Sequence, residues 1–259
     1  MKPTSRESKS DKRRRAAALM DRLEAHMPEV KIELDYGTPM QLLVSVILSA
    51  QCTDKRVNLV TPALFRRFPD AGAFAGAETA EVEQLIRTCG LYRAKAKSII
   101  AAARAITSEH GGQVPVTRDA LETLPGVGHK TAGVVAIHLG TDQAFPVDTH
   151  ILRLSRRMGL SRQTHPDKVE EDLRDLLPPA RWAKGHLLLI WHGRRTCFAR
   201  SPECDRCVVS ALCPKIGVPR PRAPLTTPRA AGARRAATAG PSRPRPLARR
   251  DRRTGTAAR

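Results

Sequence analysis

The stretch LETLPGVGHKTAG, residues 121–133, joins two helical patterns through a short turn, PGVG. The first pattern, TRDALETL at 117–124, begins with a threonine of the kind that caps helix N-termini. Glycine permits a tight turn and lets another backbone approach closely. We therefore predict a hairpin of two helices over residues 117–140, with Gly126 and Gly128 in the turn.

The second helix of this hairpin carries Lys130 in its first turn. A helix N-terminus presents unpaired N–H groups and a dipole that favours an anion, so a DNA phosphate could be held there without sequence being read. The residue type alone favours the interpretation that Lys130 binds a phosphate. The same position, with partial burial, would disfavour an ammonium and could produce a nucleophile that forms Schiff bases. Both interpretations are open at this point.

Asp148 lies eighteen residues further on, in FPVDTHILRL, directly before another helical pattern. Its simplest role is to cap that helix. A carboxylate close to Lys130 could also stabilise positive charge on a sugar, or accept a proton. Spacing along the chain does not show whether the two side chains meet.

Helical periodicity continues almost everywhere between residues 16 and 215, and no alternating strand pattern persists. The segment at 40–51 is apolar on most sides and predicts a buried helix. The segment at 80–90 predicts a helix that ends with Gly90 as its C-cap. The fold class is therefore predicted to be all-α, built from many short helices.

Positive charge is concentrated at the two ends of the chain. Residues 1–15 carry seven Lys/Arg and two acids (+5), and residues 216–259 carry twelve Arg and one acid (+11), so 20 − 16 leaves only +4 for the body. Neither end can bury enough apolar surface to offset its ordering entropy, and we expect both arms to be disordered. The C-terminal arm is either a non-specific DNA tether or an extension without a function.

The composition also bounds the location. No apolar run reaches the roughly 18 residues that a membrane span needs, and the polar N-terminus does not resemble a signal peptide. We expect an intracellular protein without a membrane partner, cytoplasmic and nucleoid-associated in a bacterium or nuclear in a eukaryote.

The six cysteines divide into two groups. Four form a C-x6-C-x2-C-x5-C cluster, namely Cys197, Cys204, Cys207 and Cys213. Clustered cysteines in an intracellular protein favour metal binding over disulfides, and this spacing leaves zinc and an iron–sulfur cluster open. The loop at 198–203 would lie between two ligands, with Arg200 as a phosphate contact. Cys52 and Cys89 have apolar neighbours and are interpreted as small core residues.

Taken together, LPGVGHKTA, VDTHILRLSRR and the four-cysteine cluster closely resemble the endonuclease III family in order and approximate spacing. ILSAQCTD at 47–54 and CGLYRAKAKSI at 89–99 extend the resemblance, which covers roughly residues 16–215. The members of that family are bifunctional DNA glycosylases and AP lyases of the helix-hairpin-helix superfamily.

The resemblance implies two all-α domains with a DNA-binding cleft between them. A six-helix barrel would span residues 32–142 and end with the helix-hairpin-helix at 117–140. The second domain would combine residues 16–31 with 143–215 and hold a 4Fe–4S cluster on the four cysteines.

The resemblance also implies roles for single residues. Lys130 would be the nucleophile and Asp148 the catalytic aspartate. Gln51 would fill the gap left by an extruded nucleotide, and Leu91 would wedge into the base stack beside it. The remaining predicted DNA contacts are Gly126, Gly128, His150 and Arg200.

The implied activity is removal of oxidised pyrimidines from double-stranded DNA, followed by cleavage 3′ to the abasic site through a lysine Schiff base and β-elimination. We expect the protein to act as a monomer on DNA with damaged bases or abasic sites. The alternatives are a related glycosylase specific for mismatched adenine or for uracil, and a non-catalytic DNA-binding protein. The sequence departs from the family pattern in two places. The cluster loop carries Ser201 and Glu203 where basic residues are common, and Gly133 stands where asparagine is frequent.

Overall fold

The computed structural model describes residues 7–140 and 144–218, and these residues contain no β-strand. The all-α prediction is therefore confirmed. The α-helices in these two ranges are α1 Lys9–His26, α2 Pro39–Ser49, α3 Asp54–Arg67, α4 Ala71–Ala75, α5 Thr79–Leu85, α6 Tyr92–Glu109, α7 Arg118–Glu122, α8 His129–Leu139, α9 Thr149–Arg157, α10 Pro166–Leu176 and α11 Trp182–Arg195. A short 3-10 turn at Pro179–Arg181 precedes α11.

Side-chain caps explain where several of these helices begin. At six N-termini the capping side chain accepts a hydrogen bond from the backbone N–H three residues on. Such a bond satisfies one of the free N–H groups and contributes about 0.5–2 kcal/mol. The capping residues are Ser8, Thr38, Thr53, Asp70, Thr117 and Asp148. The predicted caps at Thr117 and Asp148 are among them.

The buried side chains form two hydrophobic cores. The first lies around α2 and extends from Leu34 to Ala136. The second combines four residues of α1 (Ala16, Leu19, Met20 and Leu23) with side chains from Phe145 to Val209. α1 therefore packs with elements that are more than 120 residues away in sequence. The two cores follow the predicted division at residues 31/32 and 142/143, while all the described residues belong to one compact unit. The division into two domains stays a prediction.

The prediction that residues 1–15 are a disordered arm is wrong from Lys9 onward, where α1 begins. The cause is specific pairing of the basic residues. Lys9 and Arg13 both contact the carboxylate of Asp175, at 2.9 and 2.8 Å. The Arg15 guanidinium donates to the Met158 carbonyl at 2.6 Å. These side chains are therefore held by tertiary contacts, which their positions in the sequence do not reveal.

Two further boundaries differ from the predictions. α5 ends at Leu85 and has Ile86 as its C-cap, so Gly90 does not end that helix. The C-terminal arm does not begin at residue 216, because the Ile216 N–H donates to the Arg157 carbonyl at 3.0 Å. The predictions for residues 1–6 and 219–259 lie outside the described residues. Over the described ranges, no helix combines the length and the apolar character of a membrane span.

Candidate active site

The predicted hairpin is present as α7, a turn and α8. Gly126 has a φ of 77°, and a Cβ placed on it would lie 2.4 Å from the Ser98 Cβ on α6. The positive φ favours glycine because other residues rarely adopt it, and the short distance requires glycine because a side chain would collide with α6. Gly128 is the N-cap of α8, and a Cβ there would meet nothing within 4 Å. The first glycine therefore packs the hairpin, while the second leaves the start of α8 open.

Lys130 is the second residue of α8 and is exposed to solvent. The partial burial considered for it from the sequence is absent. Val134 and His138 follow one and two turns later, and all three residues line the same pocket. The spacing of four residues explains this, since side chains at i and i+4 lie on one face of a helix.

The pocket has a volume of about 210 Å³, and Lys130, Asp148 and Gln51 all line it. Asp148 is half-buried, and one carboxylate oxygen accepts a hydrogen bond from the Ile151 N–H at 2.8 Å. Its second oxygen is thus not needed for the cap. The tertiary structure therefore brings together the lysine and the aspartate whose meeting the sequence left open.

Gln51 and Leu91 lie in two loops with unusual backbone geometry. Their φ angles are 54° and 58°, in the left-handed region that non-glycine residues rarely adopt. Gln51 is exposed, and Leu91 is 59% exposed despite its apolar side chain. The structure thus presents both predicted DNA contacts to solvent. Leu91 does not line the pocket that contains Lys130.

His150 and Arg200 are not brought to the pocket. His150 is half-buried against α11, where a Cβ on Gly193 would lie 3.0 Å from its ring. Burial lowers the pKa of His150, although the nearby Asp148 partly opposes that shift. Arg200 is exposed in the 198–203 loop, as predicted. The DNA-binding roles of both residues stay predictions.

Two histidines that line the pocket, His138 and His186, were not predicted from the sequence. His186 is buried, and its Nδ1 lies 2.9 Å from the Pro146 carbonyl oxygen. Burial, followed by the neighbouring His138, lowers the pKa of His186 to about 4. Burial also lowers the pKa of His138, whose Nδ1 lies 2.7 Å from the Val134 carbonyl oxygen. This side of the pocket therefore carries two neutral imidazoles at neutral pH.

The residues that line the pocket from α11 follow a helical spacing that is visible in the sequence. His186, Ile190 and Arg194 recur at intervals of four residues and all line the pocket. Arg194 forms ion pairs with Glu33 and, at 2.5 Å, with Asp54. Because α2 and α8 pack in the first core and α11 in the second, the pocket lies between the two cores.

The four clustered cysteines line a separate small cavity. Arg157, which is only 5% exposed, reaches this cavity from α9. Its guanidinium donates to the Cys197 sulfur at 3.4 Å and to the carbonyls of Phe198 and Ala199, each at 2.7 Å. Arg157 thereby fixes the loop that follows the first cysteine. This role was not predicted, because nothing in the sequence marks which arginine of LSRR points inward.

The donor set fits an iron–sulfur cluster better than a single ion. Four thiols share one cavity, and the irons of a cluster span a larger space than one zinc ion. Burial raises the pKa of Cys207 and of Cys213, so ligation must displace their protons.

Comparisons with known proteins agree with this geometry. The sequence pattern of the HhH-GPD superfamily of base excision DNA repair proteins matches residues 44–179, and that of the iron–sulfur binding domain of endonuclease III matches residues 197–213. Endonuclease III of Synechocystis sp. is 48% identical over 206 residues, covering 79% of this chain and 94% of the relative. The chain belongs to the endonuclease III family.

Two further relatives within the endonuclease III family support the assignment. Endonuclease III of Escherichia coli K12 is 40% identical over 198 residues, covering 75% of this chain and 92% of its own length. The solved structure of a trapped endonuclease III–DNA covalent intermediate superposes with a TM-score of 0.75 at 37% identity. It covers 78% of this chain and 96% of the other. The protein is therefore a DNA-binding base-excision-repair glycosylase and AP lyase, and a 4Fe–4S cluster is its cofactor.

Proposed function

We propose that Lys130 is the nucleophile of this enzyme and that Asp148 assists it. The observation that carries the proposal is that both residues line one pocket although 18 positions separate them in the sequence. Neither the cap of α9 nor the packing of the hairpin requires a lysine at this position. An amine and a carboxylate facing the same space suit covalent attack on an electrophilic sugar carbon.

The chemistry begins when a damaged nucleotide is flipped into the pocket, which costs least where the lesion already weakens stacking. Asp148 accepts a proton from Lys130, and the free amine attacks the sugar C1′. The bond from C1′ to the base breaks, and the base leaves with the electron pair and takes up a proton. Opening of the sugar ring then gives a Schiff base. Loss of the C2′ proton and breakage of the C3′–O bond cut the strand, and water releases the lysine.

Borohydride trapping tests this proposal. The full chain is incubated with duplexes that contain thymine glycol, an abasic site, or adenine opposite guanine, and borohydride is added. We expect an adduct with the first two duplexes, and a fall in adduct formation on the order of 10⁴-fold or more in Lys130→Ala, as for removal of a covalent nucleophile.

Lys31→Ala is the matched control, because Lys31 is another lysine that lines the same pocket. It should retain the adduct. Base release without any adduct would instead favour a glycosylase that leaves the abasic site intact. Absence of both activities would favour a non-catalytic DNA-binding protein.

The family's known role supports oxidised pyrimidines as the damaged bases. We extend the proposal to a monomeric enzyme inside the cell that acts on double-stranded DNA with such bases or abasic sites. Gln51 and Leu91 would fill the space that the flipped nucleotide leaves, in agreement with their exposure.

The four cysteines, Cys197, Cys204, Cys207 and Cys213, would hold the 4Fe–4S cluster. When bound, the cluster cross-links the ends of the 198–203 loop. Glu203, a departure from the family pattern, pairs with Arg206 at 2.5 Å, which reduces its repulsion of a phosphate. Arg200 would then contact the DNA backbone from a loop that Arg157 and the cluster both hold.

The arginine-rich C-terminal arm would add a sequence-independent attraction to DNA. Because Ile216 belongs to the folded part, the informative deletion removes residues 219–259, which still contain all twelve arginines of the arm. We expect weaker binding to undamaged duplex and a shallower dependence of log K on log salt, since fewer counterions are released. An unchanged slope in a fluorescence anisotropy titration would show that the arm does not contact DNA.

A further inference from the structure

The loops that carry Gln51 and Leu91 share a construction. Of the non-glycine residues in 7–140 and 144–218, three have a positive φ, and two of these are Gln51 and Leu91. Each has a cysteine close by in sequence, Cys52 directly after Gln51 and Cys89 two residues before Leu91. Left-handed backbone at a non-glycine residue persists only where the surroundings hold it.

The two loops touch each other. A Cβ placed on Gly90 would lie 3.0 Å from the carbonyl oxygen of Gln51, so the backbones are in contact between the two cysteines. Cys89 is 2% exposed and belongs to the first core, and the half-buried Cys52 packs against that core. The prediction that both are core residues is thus correct for Cys89 and only partly correct for Cys52.

The two thiols also act on each other. Burial, and then the neighbouring Cys52, raise the pKa of Cys89 to about 11. Lys95 lies beside the pair, 5% exposed, and its ammonium donates to the Leu48 carbonyl at 2.8 Å. Burial lowers the pKa of Lys95, but Cys52 and Cys89 partly oppose that shift. The Lys95 ammonium opposes only part of the rise in the pKa of Cys89, so the Cys89 thiol keeps its proton at neutral pH.

We propose that Cys52 and Cys89 are a modification site at which a hydroperoxide forms a disulfide between the Gln51 and Leu91 loops. Because Cys89 is anchored in the core, Cys52 must move towards it and draw Gln51 inward. The bond therefore weakens binding to DNA with an extruded nucleotide. This consequence rests on the proposed role of Gln51, whereas the disulfide itself does not.

The chemistry balances with one peroxide. The Cys52 thiol, which solvent reaches more easily, gives up its proton as its sulfur attacks an oxygen of hydrogen peroxide. The O–O bond breaks, the sulfur becomes a sulfenic acid, and the departing hydroxide takes up the proton to form water. The Cys89 sulfur then attacks the Cys52 sulfur and releases a second water. The two sulfurs give up two electrons to the peroxide, and a dithiol reductant reverses the bond.

The test uses the full chain with its cluster, treated with hydrogen peroxide while the visible absorbance of the cluster is followed. Peptide mass spectrometry should find the Cys52 and Cys89 peptides joined, with a loss of two hydrogens. Affinity for a duplex with a tetrahydrofuran abasic-site analogue should fall at least fivefold and recover with dithiothreitol. Cys52→Ala and Cys89→Ala should show neither the linked peptide nor the loss of affinity.

Absence of the linked peptide while the cluster stays intact would overturn the proposal. An equal loss of affinity in Cys52→Ala would show that the disulfide does not cause the loss. A linked peptide with unchanged affinity would support the disulfide and overturn its effect on DNA binding through Gln51. Cys52 is only half-buried, so this variant keeps the test decisive even if Cys89→Ala folds poorly. Failure of borohydride trapping in the reduced protein would count against the role of Lys130 and leave the disulfide result standing.

Discussion

The Lys130 pocket and the cysteine cavity are assembled in opposite ways. The pocket draws Gln51, Lys130, Asp148 and His186 from segments spread over more than 130 residues, and its central lysine is exposed. The cavity takes its four thiols from 17 consecutive residues. Arg157, a buried residue of α9, also lines this cavity and donates to the Cys197 sulfur.

The difference follows from what each site must do. A pocket that receives a flipped nucleotide must be open, so its residues need only meet at a surface between two cores. A site that holds a cluster must keep its four ligands close to one another, and their close spacing in sequence does so. Three changes can break or sharpen this comparison.

Asp148→Asn should have the largest effect, and it should be confined to the pocket. Asparagine caps a helix as well as aspartate does, so the free energy of unfolding should change by less than about 0.5 kcal/mol. Loss of the carboxylate that accepts the lysine proton should slow single-turnover base release by roughly 10²–10⁴-fold. Denaturant unfolding and rapid-quench kinetics on a thymine glycol duplex measure the two effects.

Asp148→Ala is the companion variant, because it removes both the cap and the carboxylate. It should lose about 1 kcal/mol of stability in addition. An Asp148→Asn enzyme with normal base release would reduce Asp148 to a helix cap and remove the functional contrast between the two sites.

Arg157→Met should have the next largest effect, on stability and on the cysteine cavity. The carbonyls of Phe198 and Ala199 would lose their donors, and unfolding should become easier by roughly 2–4 kcal/mol. The visible absorbance of the cluster should decay faster on mild heating, because the loop after Cys197 is released. Arg156→Met, at an exposed neighbouring position, is the control and should change neither quantity. Equal effects of the two substitutions would show that Arg157 does not hold the loop.

Substitution of His186 should have the smallest effect of the three changes. That effect should appear only in how the free energy of unfolding depends on pH. The folded-state pKa of His186, about 4, lies below the ordinary 6.5, so below pH 6.5 the unfolded chain binds the proton first. The contribution of neutral His186 to the free energy of unfolding is therefore fully present above pH 6.5. It falls towards pH 4, by up to about 1.4 kcal/mol per pH unit. His186→Asn keeps a donor for the Pro146 carbonyl and should remove roughly 2 kcal/mol of the stability difference between pH 7 and pH 5.

Urea titrations at the two pH values measure this difference. His165→Asn is the comparison, because the side chain of His165 is 69% exposed. If His186→Asn retained the wild-type pH dependence, the neutral imidazole would not be a stabilising part of the pocket.

Much of the local structure could be predicted from the sequence, because it depends on neighbouring residues. The turn at 125–128 and the caps at Thr117 and Asp148 are decided within a few positions, and the structure confirms them. Gly90 shows the limit of that reasoning, since a glycine after a helical pattern need not be its cap. The disorder predicted for residues 9–15 failed for a related reason, because Asp175 and the Met158 carbonyl lie far away in sequence.

The sequence by itself determined the all-α fold class, the hairpin and the four-cysteine cluster, because periodicity, turn chemistry and ligand spacing are local properties. Only the tertiary structure decided that Lys130 and Asp148 share a pocket, that two neutral histidines line it and that Arg157 closes the cysteine cavity. It also decided that the Gln51 and Leu91 loops touch and that Cys52 and Cys89 are neighbours. The physical reason is that these contacts join residues from distant segments, which meet only after two separate cores have packed.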